Sequence, residues 1–208
     1  MLDTNVLPTI FKAIKLDILA NEAEVAALDR AIGDGDHVSN LLRGITALEA
    51  LNDELIEMNW SNAFSKIGMT LMSTMGGASG SLFGSMFVSM GKAAKEQEMN
   101  MGGAIELFAI GVDSIKQRGK ADVGEKTMLD SLIPAVTSLR NDLTNQSDKE
   151  VLLENMKQAA TKGMLSTEDM LATKGRASFL GERARGHIDA GARTSQLMLC
   201  TIADILKN

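Results

Sequence analysis

Apolar positions recur along most of the chain at the three- and four-residue spacing of a single helix face. From Val38 they run Val38, Leu41, Leu42, Ile45, Leu48, Leu51 and Leu55, the stripe of an amphipathic helix with one buried side. Ser147 with Glu150 reads as a capping box ahead of Leu152, Met156, Ala159 and Ala160, and Asn21 with Glu24 is a weaker start signal of the same kind. Pro8 belongs in a first helical turn, because deeper in a helix it would remove a donor and clash with the preceding turn. The apolar–polar alternation of strands is lacking, and β-branched runs are short. The pattern predicts helices over 7–20, 22–29, 38–58, 61–75, 80–98, 101–118, 127–145 and 148–172, with a further segment over 190–206. If the first two act as one helix, the count is eight. No fixed-period repeat and no Ser/Pro-rich linker divides the sequence, so the expectation is one all-α domain over 1–208.

One stretch tests that reading. Ile67 to Gly91 is 25 residues without a charge, long enough to span a bilayer. However, 13 of the 25 are Gly, Ser or Thr, and Gly76, Gly77 and Gly80 interrupt the middle. Two buried helices joined by a glycine loop account for it better than a membrane span. The start, MLDTNVLPTIFKAIKLDI, lacks the basic-then-apolar pattern of a signal peptide. The lone Cys200 cannot form an internal disulfide, and together these features predict a soluble, cytoplasmic protein.

Composition narrows the function. Lys and Arg total 21 against 27 Asp and Glu, a net charge of −6, without the clustered positive field that a nucleic-acid binder needs to displace counterions. With 6 Phe, 1 Trp and no Tyr, base-stacking platforms are not expected, and the 14 Met are expected to fill the core in place of rings.

Four segments break the helical pattern: Asp29–Asn40, Met75–Ser81, Arg118–Met128 and Lys174–Gly191. In an up-and-down bundle of eight helices these connections fall at one common end. The first carries Asp29, Asp34 and Asp36, with Gly33 and Gly35 beside them. Carboxylates this close repel unless a cation neutralises them, and the glycines allow the sharp turns that aim several oxygens at one point. Hard oxygen donors suit Mg²⁺ or Mn²⁺ rather than zinc, and Mg²⁺ commonly completes its shell with substrate phosphates. A calcium EF-hand is excluded, since the fifth and twelfth positions counted from Asp34 are Val38 and Ile45. A solvated acidic turn capping the next helix accounts for the same residues. His37 and Asn40 follow at that helix's first turn, where an N-terminus favours anions.

The other three segments are each weaker signals. Gly76–Gly80 exposes consecutive backbone N–H groups before a helix, although Gly76, Gly80 and Gly84 at four-residue spacing equally suit tight helix packing. GKADVGEKT over Gly119–Thr127 nearly spells a P-loop, but Glu125 separates the second glycine from Lys126 and no strand precedes it. A Walker-type site is therefore rejected in favour of a polar loop with Thr127 as a helix cap. The last segment gathers Arg176, Arg183, Arg185 and His187 before Asp189 and Gly191. Arginine forks bind phosphate, and surface ion pairs such as Glu182 with Arg185 are the plainer alternative.

Taken in order, IGDGDH with Asn40, GGASG, QRGKADVGEKTMLD, and ATKGRASFLGER continuing to GHIDAGA resemble the nucleotide-binding L-subunit family of bacterial dihydroxyacetone kinases, over nearly the whole chain. The resemblance implies an eight-helix antiparallel up-and-down barrel with ADP or ATP bound at one end through two Mg²⁺ ions. Carried over position by position, it implies Asp29, Asp34 and Asp36 as metal ligands that act in catalysis with Arg176. It further implies nucleotide contacts from His37, Val38, Ser39, Asn40, Gly77, Ala78, Ser79, Gly119, Met128, Arg176, Asp189, Ala190 and Gly191.

Three positions depart from the family pattern, which has glycine at Val38, proline at Ala190 and tyrosine at Phe179. Val38 brings a branched side chain to the phosphate site, Ala190 loosens a turn, and Phe179 loses a hydroxyl. No second domain is evident to hold a sugar, which implies a separate dihydroxyacetone-binding kinase subunit. A stand-alone L chain resembles the phosphotransferase-system type, whose captive ADP is recharged by a phosphohistidine-carrying subunit. The alternatives are a kinase subunit for a different small ketose and a non-catalytic protein that signals its nucleotide state to a regulator. No nucleic-acid or membrane partner is expected.

Overall fold

The computed structural model describes residues 3–207, and among them the only regular elements are helical. After a short 3₁₀ turn, Thr4–Val6, come α1 (Leu7–Ala20), α2 (Glu22–Ile32), α3 (His37–Glu49), α4 (Asn52–Leu55), α5 (Trp60–Thr74), α6 (Gly77–Ala93), α7 (Met101–Gly119), α8 (Leu129–Thr144), α9 (Lys149–Ser166) and α10 (Ala190–Lys207). Two 3₁₀ segments, Thr167–Asp169 and Arg176–Ala184, lie between α9 and α10. The elements fall into two compact units whose boundaries lie inside α1, inside α3 and just after α7. One unit contains the chain up to Leu16 with Ser39–Lys120; the other contains Asp17–Val38 and the chain from Ala121 onward.

In the first unit, α5 and α6 form the close helical hairpin expected from the uncharged stretch, and no described helix is long and apolar enough to cross a membrane. Small residues set its spacing. A Cβ on Gly68 would lie 2.7 Å from the Gly84 carbonyl, and one on Gly91 would lie 2.8 Å from that of Ser61. Ser61 Oγ in turn donates to the Gly91 carbonyl at 2.7 Å. Gly84 thus packs helix on helix, one of the two roles its spacing allowed. Phe64, Ile67, Leu71, Phe83, Met86 and Met90 are buried around this pair, with methionine filling gaps as the scarcity of rings predicts.

In the second unit, α8 packs on α9 through Gly163, where a Cβ would come within 1.8 Å of the Asp130 carbonyl. Ser131 Oγ donates to the Ala160 carbonyl across the same contact at 3.2 Å. α10 lies against α9 and α2: Gln196 reaches Thr161, and Arg193 forms a two-pronged pair with Glu24 at 2.9 Å for both contacts. A small satellite core of Ile32, Ala172, Ala177 and Ala184, with Leu180 against it, anchors the Arg176–Ala184 segment.

Several expected boundaries move, each for a tertiary reason. The helix expected over 38–58 breaks at Ala50–Leu51 into α3 and α4 and then stops, because Thr4 Oγ1 engages the Ile56 and Met58 carbonyls at 3.1 Å each. The helix expected over 148–172 ends at Ser166, where Lys126 captures the next carbonyls. The Ser147–Glu150 capping box does not form: Asp148 is the N-cap, and Ser147 Oγ donates to Asp142 at 2.9 Å instead. Asn21 does precede α2, but its amide donates back to Asp17 and Glu24 turns to Arg193. Pro8 lies in the first turn of α1 as expected.

Candidate functional site

The acidic loop assembles inside the second unit. Asp29 is buried in the last turn of α2, and its carboxylate accepts the His37 backbone N–H at 2.9 Å. Gly33 is required at the end of that helix, since a Cβ there would come within 2.0 Å of Asp29 Oδ1. Gly35 holds φ +77°, the left-handed conformation that turns the chain back toward α3. The result is that carboxylate oxygens of Asp29, Asp34 and Asp36 lie within 4.8 Å of one another. Three hard anionic donors converging at this distance fit a hard divalent cation.

Two side chains from distant segments meet this loop. Arg176 Nε donates to Asp34 Oδ2 at 2.7 Å, although its side chain is 71% exposed. The ion pair of Glu182 with Arg185 is also present, at 3.2 Å. His37 Nε2 is 2.9 Å from Thr194 Oγ1 of α10. Burial holds the His37 imidazole below the usual histidine range, against the opposing pull of Asp29 and Asp36.

The entrance to α10 lies in the same unit. Asp189 caps the helix, accepting the Ala192 N–H at 2.8 Å. Gly191 is tightly placed, because its Cβ would lie 3.0 Å from Asp189 Oδ2 and 3.6 Å from Met128 Cβ. Burial pushes the Asp189 carboxyl up to about 6; the Ala192 N–H opposes this, neighbouring Asp130 adds to it, and Lys126 opposes it. Ala190 is the first residue of α10, where proline is favoured but alanine also suits, so its substitution leaves the turn fixed by the Asp189 cap. Val38 is buried, so its branched side chain belongs to the core, whereas Phe179 is 87% exposed.

The remaining sequence-selected residues lie in the first unit. Ser39 and Asn40 continue α3, and buried Asn40 fits against Gly76 and Gly77: a Cβ on Gly76 would meet Asn40 Oδ1 at 2.4 Å. Gly77 takes φ +67° and opens α6, so the glycine turn is mostly the first turn of a helix. Gly76 precedes it without a side-chain cap, leaving the first N–H groups of α6, including those of Ala78 and Ser79, without that partner. Gly119 closes α7 and is followed by left-handed Lys120.

Asp130, Thr167, Thr194 and Lys126 take roles here that lie outside the residues expected from the sequence. Asp130 organises the near-P-loop, accepting the Gly124 and Thr127 N–H groups at 2.5 and 2.7 Å. Thr127-x-x-Asp130 was a legible capping-box signal. Lys126 points into protein carbonyls, in keeping with the rejection of a Walker site. No sequence rule marks a lysine for burial.

Comparison with known proteins places this geometry in context. The DAK2 domain matches residues 31–204. The chain is 42% identical over 193 residues to the ADP-binding subunit DhaL of the PTS-dependent dihydroxyacetone kinase of Lactococcus lactis, covering 91% of both chains. It is 38% identical to the ADP-binding subunit DhaL of the PEP-dependent dihydroxyacetone kinase of Escherichia coli, covering 90% of both. The crystal structure of the dihydroxyacetone kinase of Citrobacter freundii in complex with AMP-PNP and Mg²⁺ superposes with a TM-score of 0.74 at 26% identity, over 96% of this chain and 33% of that one. Through a match that runs from the acidic loop to the last helix, the chain belongs to the DAK2 domain family.

Proposed function

We propose that this chain is the ADP/ATP-binding, phosphoryl-transferring subunit of a dihydroxyacetone kinase of the phosphotransferase-system type. The observation that carries the reading is the convergence of Asp29, Asp34 and Asp36 within 4.8 Å, in a chain that matches DhaL subunits over nine-tenths of both lengths. The three carboxylates would hold two Mg²⁺ ions, which when bound would supply neutralisation of the charge that develops during transfer. His37, Val38, Ser39, Asn40, Gly77, Ala78, Ser79, Gly119, Met128, Arg176, Asp189, Ala190 and Gly191 would form the nucleotide pocket at one end of a single-domain, eight-helix antiparallel barrel.

The chain's own residues supply binding and orientation. The uncapped start of α6 offers backbone N–H groups to phosphate oxygens. Arg176, exposed and paired at the surface with Asp34, is free to exchange that partner for a phosphate fork. Burial keeps His37 below the usual histidine range, Thr194 orients its ring, and its backbone N–H fixes the Asp29 carboxylate. Dihydroxyacetone would be held on a separate kinase subunit, and the nucleotide would be recharged by a phosphohistidine-carrying subunit, in the cytoplasm.

Native mass spectrometry of the full chain tests the reading. Added mass of one ADP and two Mg²⁺ is the expected result, and Asp34→Asn should lose the metals and all transfer to dihydroxyacetone in the reconstituted three-subunit system. A wild-type chain that stays bare in ADP and Mg²⁺, or an Asp34→Asn chain that transfers at the normal rate, would overturn it.

A further inference from the structure

Lys126 is only 1% exposed, the largest of the fully buried side chains. A buried ammonium is costly unless each of its protons meets an acceptor. Here the three donors of Nζ meet three backbone carbonyls: that of Thr167, that of His187 at 2.5 Å, and more distantly that of Glu168 at 3.4 Å. Two belong to the turn that follows α9, where a cation also complements the negative end of the helix. The third lies two residues before Asp189. The backbone of Lys126 is itself left-handed, φ +60°, a conformation rare for a side-chain-bearing residue and sustained only when the surroundings over-determine it. Asp130, by accepting the Gly124 and Thr127 N–H groups on either side, imposes that turn and drives the lysine inward.

The carbonyls Lys126 holds belong to a wider knot. Gly186 N–H donates to the Glu168 carbonyl at 2.9 Å, and Asp189 N–H donates to Thr167 Oγ1 at 3.0 Å. The stretch 186–189 is thereby laid along 167–168 immediately before α10. Beyond it, Asp189 caps α10, Gly191 sits against Met128, and Thr194 meets His37.

We infer that Lys126 is a positioning residue of the nucleotide site: by tying 167–168 to His187 it fixes the Asp189–Gly191 entrance of α10 in the register the nucleotide requires. The inference rests on the nucleotide reading above. It gives the lysine of the near-P-loop a role opposite to that of a Walker lysine, since it orders the pocket wall from behind and touches no phosphate.

Titration calorimetry of the full chain with ADP in excess Mg²⁺, and separately with Mn²⁺ alone, distinguishes positioning from general loosening. Lys126→Met should keep the far-UV circular dichroism of the wild type and bind Mn²⁺ within about twofold, while ADP affinity falls about tenfold, the loss expected for charge-assisted hydrogen bonds that order one wall. Thr167→Val keeps side-chain volume and removes the hydroxyl that accepts the Asp189 N–H and donates to the Met164 carbonyl, with every Lys126 contact left in place, so the same selective loss should be smaller, about threefold. Should Lys126→Met fail to fold, Thr167→Val decides on the same criteria. Unchanged ADP affinity in folded variants, or a parallel fall of ADP and Mn²⁺ affinity, overturns the positioning role and leaves the proposed function standing. A wild-type chain that, once freed of any bound nucleotide, binds no ADP overturns both.

Discussion

Asp189 illustrates how one carboxyl can serve a helix and still weaken the fold. Its hydrogen bond to Ala192 favours the anion, but burial and the neighbouring Asp130 outweigh that bond and push the group up to about 6 from an ordinary 3.8. The sign of the consequence follows from proton counting. Below about pH 4 both folded and unfolded chains hold the proton; between about 4 and about 6 the unfolded chain releases it while the folded chain keeps it. Stability therefore falls as pH rises through that window, by up to about 3 kcal/mol, and is flat above it with respect to this group. The amide oxygen introduced by Asp189→Asn would still accept the Ala192 N–H without carrying a charge. Urea midpoints at pH 4 and pH 7 should show that Asp189→Asn removes this fall, leaving the variant the more stable protein at neutral pH. Equal pH dependence in both chains would contradict the buried-carboxyl account.

Helix ends in this protein are decided by side chains from elsewhere in the sequence. Thr4 stops the chain after α4 by engaging the carbonyls of Ile56 and Met58, and Lys126 stops α9 by engaging those of Thr167 and Glu168. Helix spacing, in contrast, is decided by glycines that read locally as breakers. At Gly163 a Cβ would stand 1.8 Å from the Asp130 carbonyl and 3.1 Å from Pro134, neither of which can rotate away. Gly163→Ala should improve the intrinsic helix propensity of α9 by about 1 kcal/mol, yet force α8 and α9 apart at a cost of about 1–3 kcal/mol or more. The net expectation is a lower thermal midpoint, read by calorimetry. A raised midpoint would show that the α8–α9 contact is slack. The same contact carries Asp130, so loosening it should also disturb the loop that buries Lys126.

Charge across the whole molecule favours the metal reading. The chain already carries a net charge of −6, and it concentrates three carboxylates within 4.8 Å of one another, with Arg176 paired to one of them through Asp34. A ligand that binds only the folded chain stabilises it by mass action, by about 2.7 kcal/mol at a concentration one hundred times its dissociation constant. The thermal midpoint should therefore rise with ADP and Mg²⁺ together and return to the apo value when Mg²⁺ is chelated. Differential scanning fluorimetry checks this, and an ADP effect that survives chelation would separate the nucleotide from the carboxylates.

The sequence by itself determined the helical class and most helix positions, because a 3.6-residue apolar period admits no other fold class and each residue's contribution to it is local. It also determined that three carboxylates would gather in one loop, since Asp29, Asp34 and Asp36 lie within eight residues and glycines already specify the turn between them. Whether Val38 is buried, which of Ser147 and Asp148 holds the N-cap position of α9, and where α4 and α9 end were decided only in three dimensions, by packing and by partners more than forty residues away in the cases of Thr4 and Lys126. The same holds for Lys126 itself. Its meaning depends on three carbonyls brought together by packing, and a carbonyl is identical in every residue, so no sequence pattern can announce which three will meet.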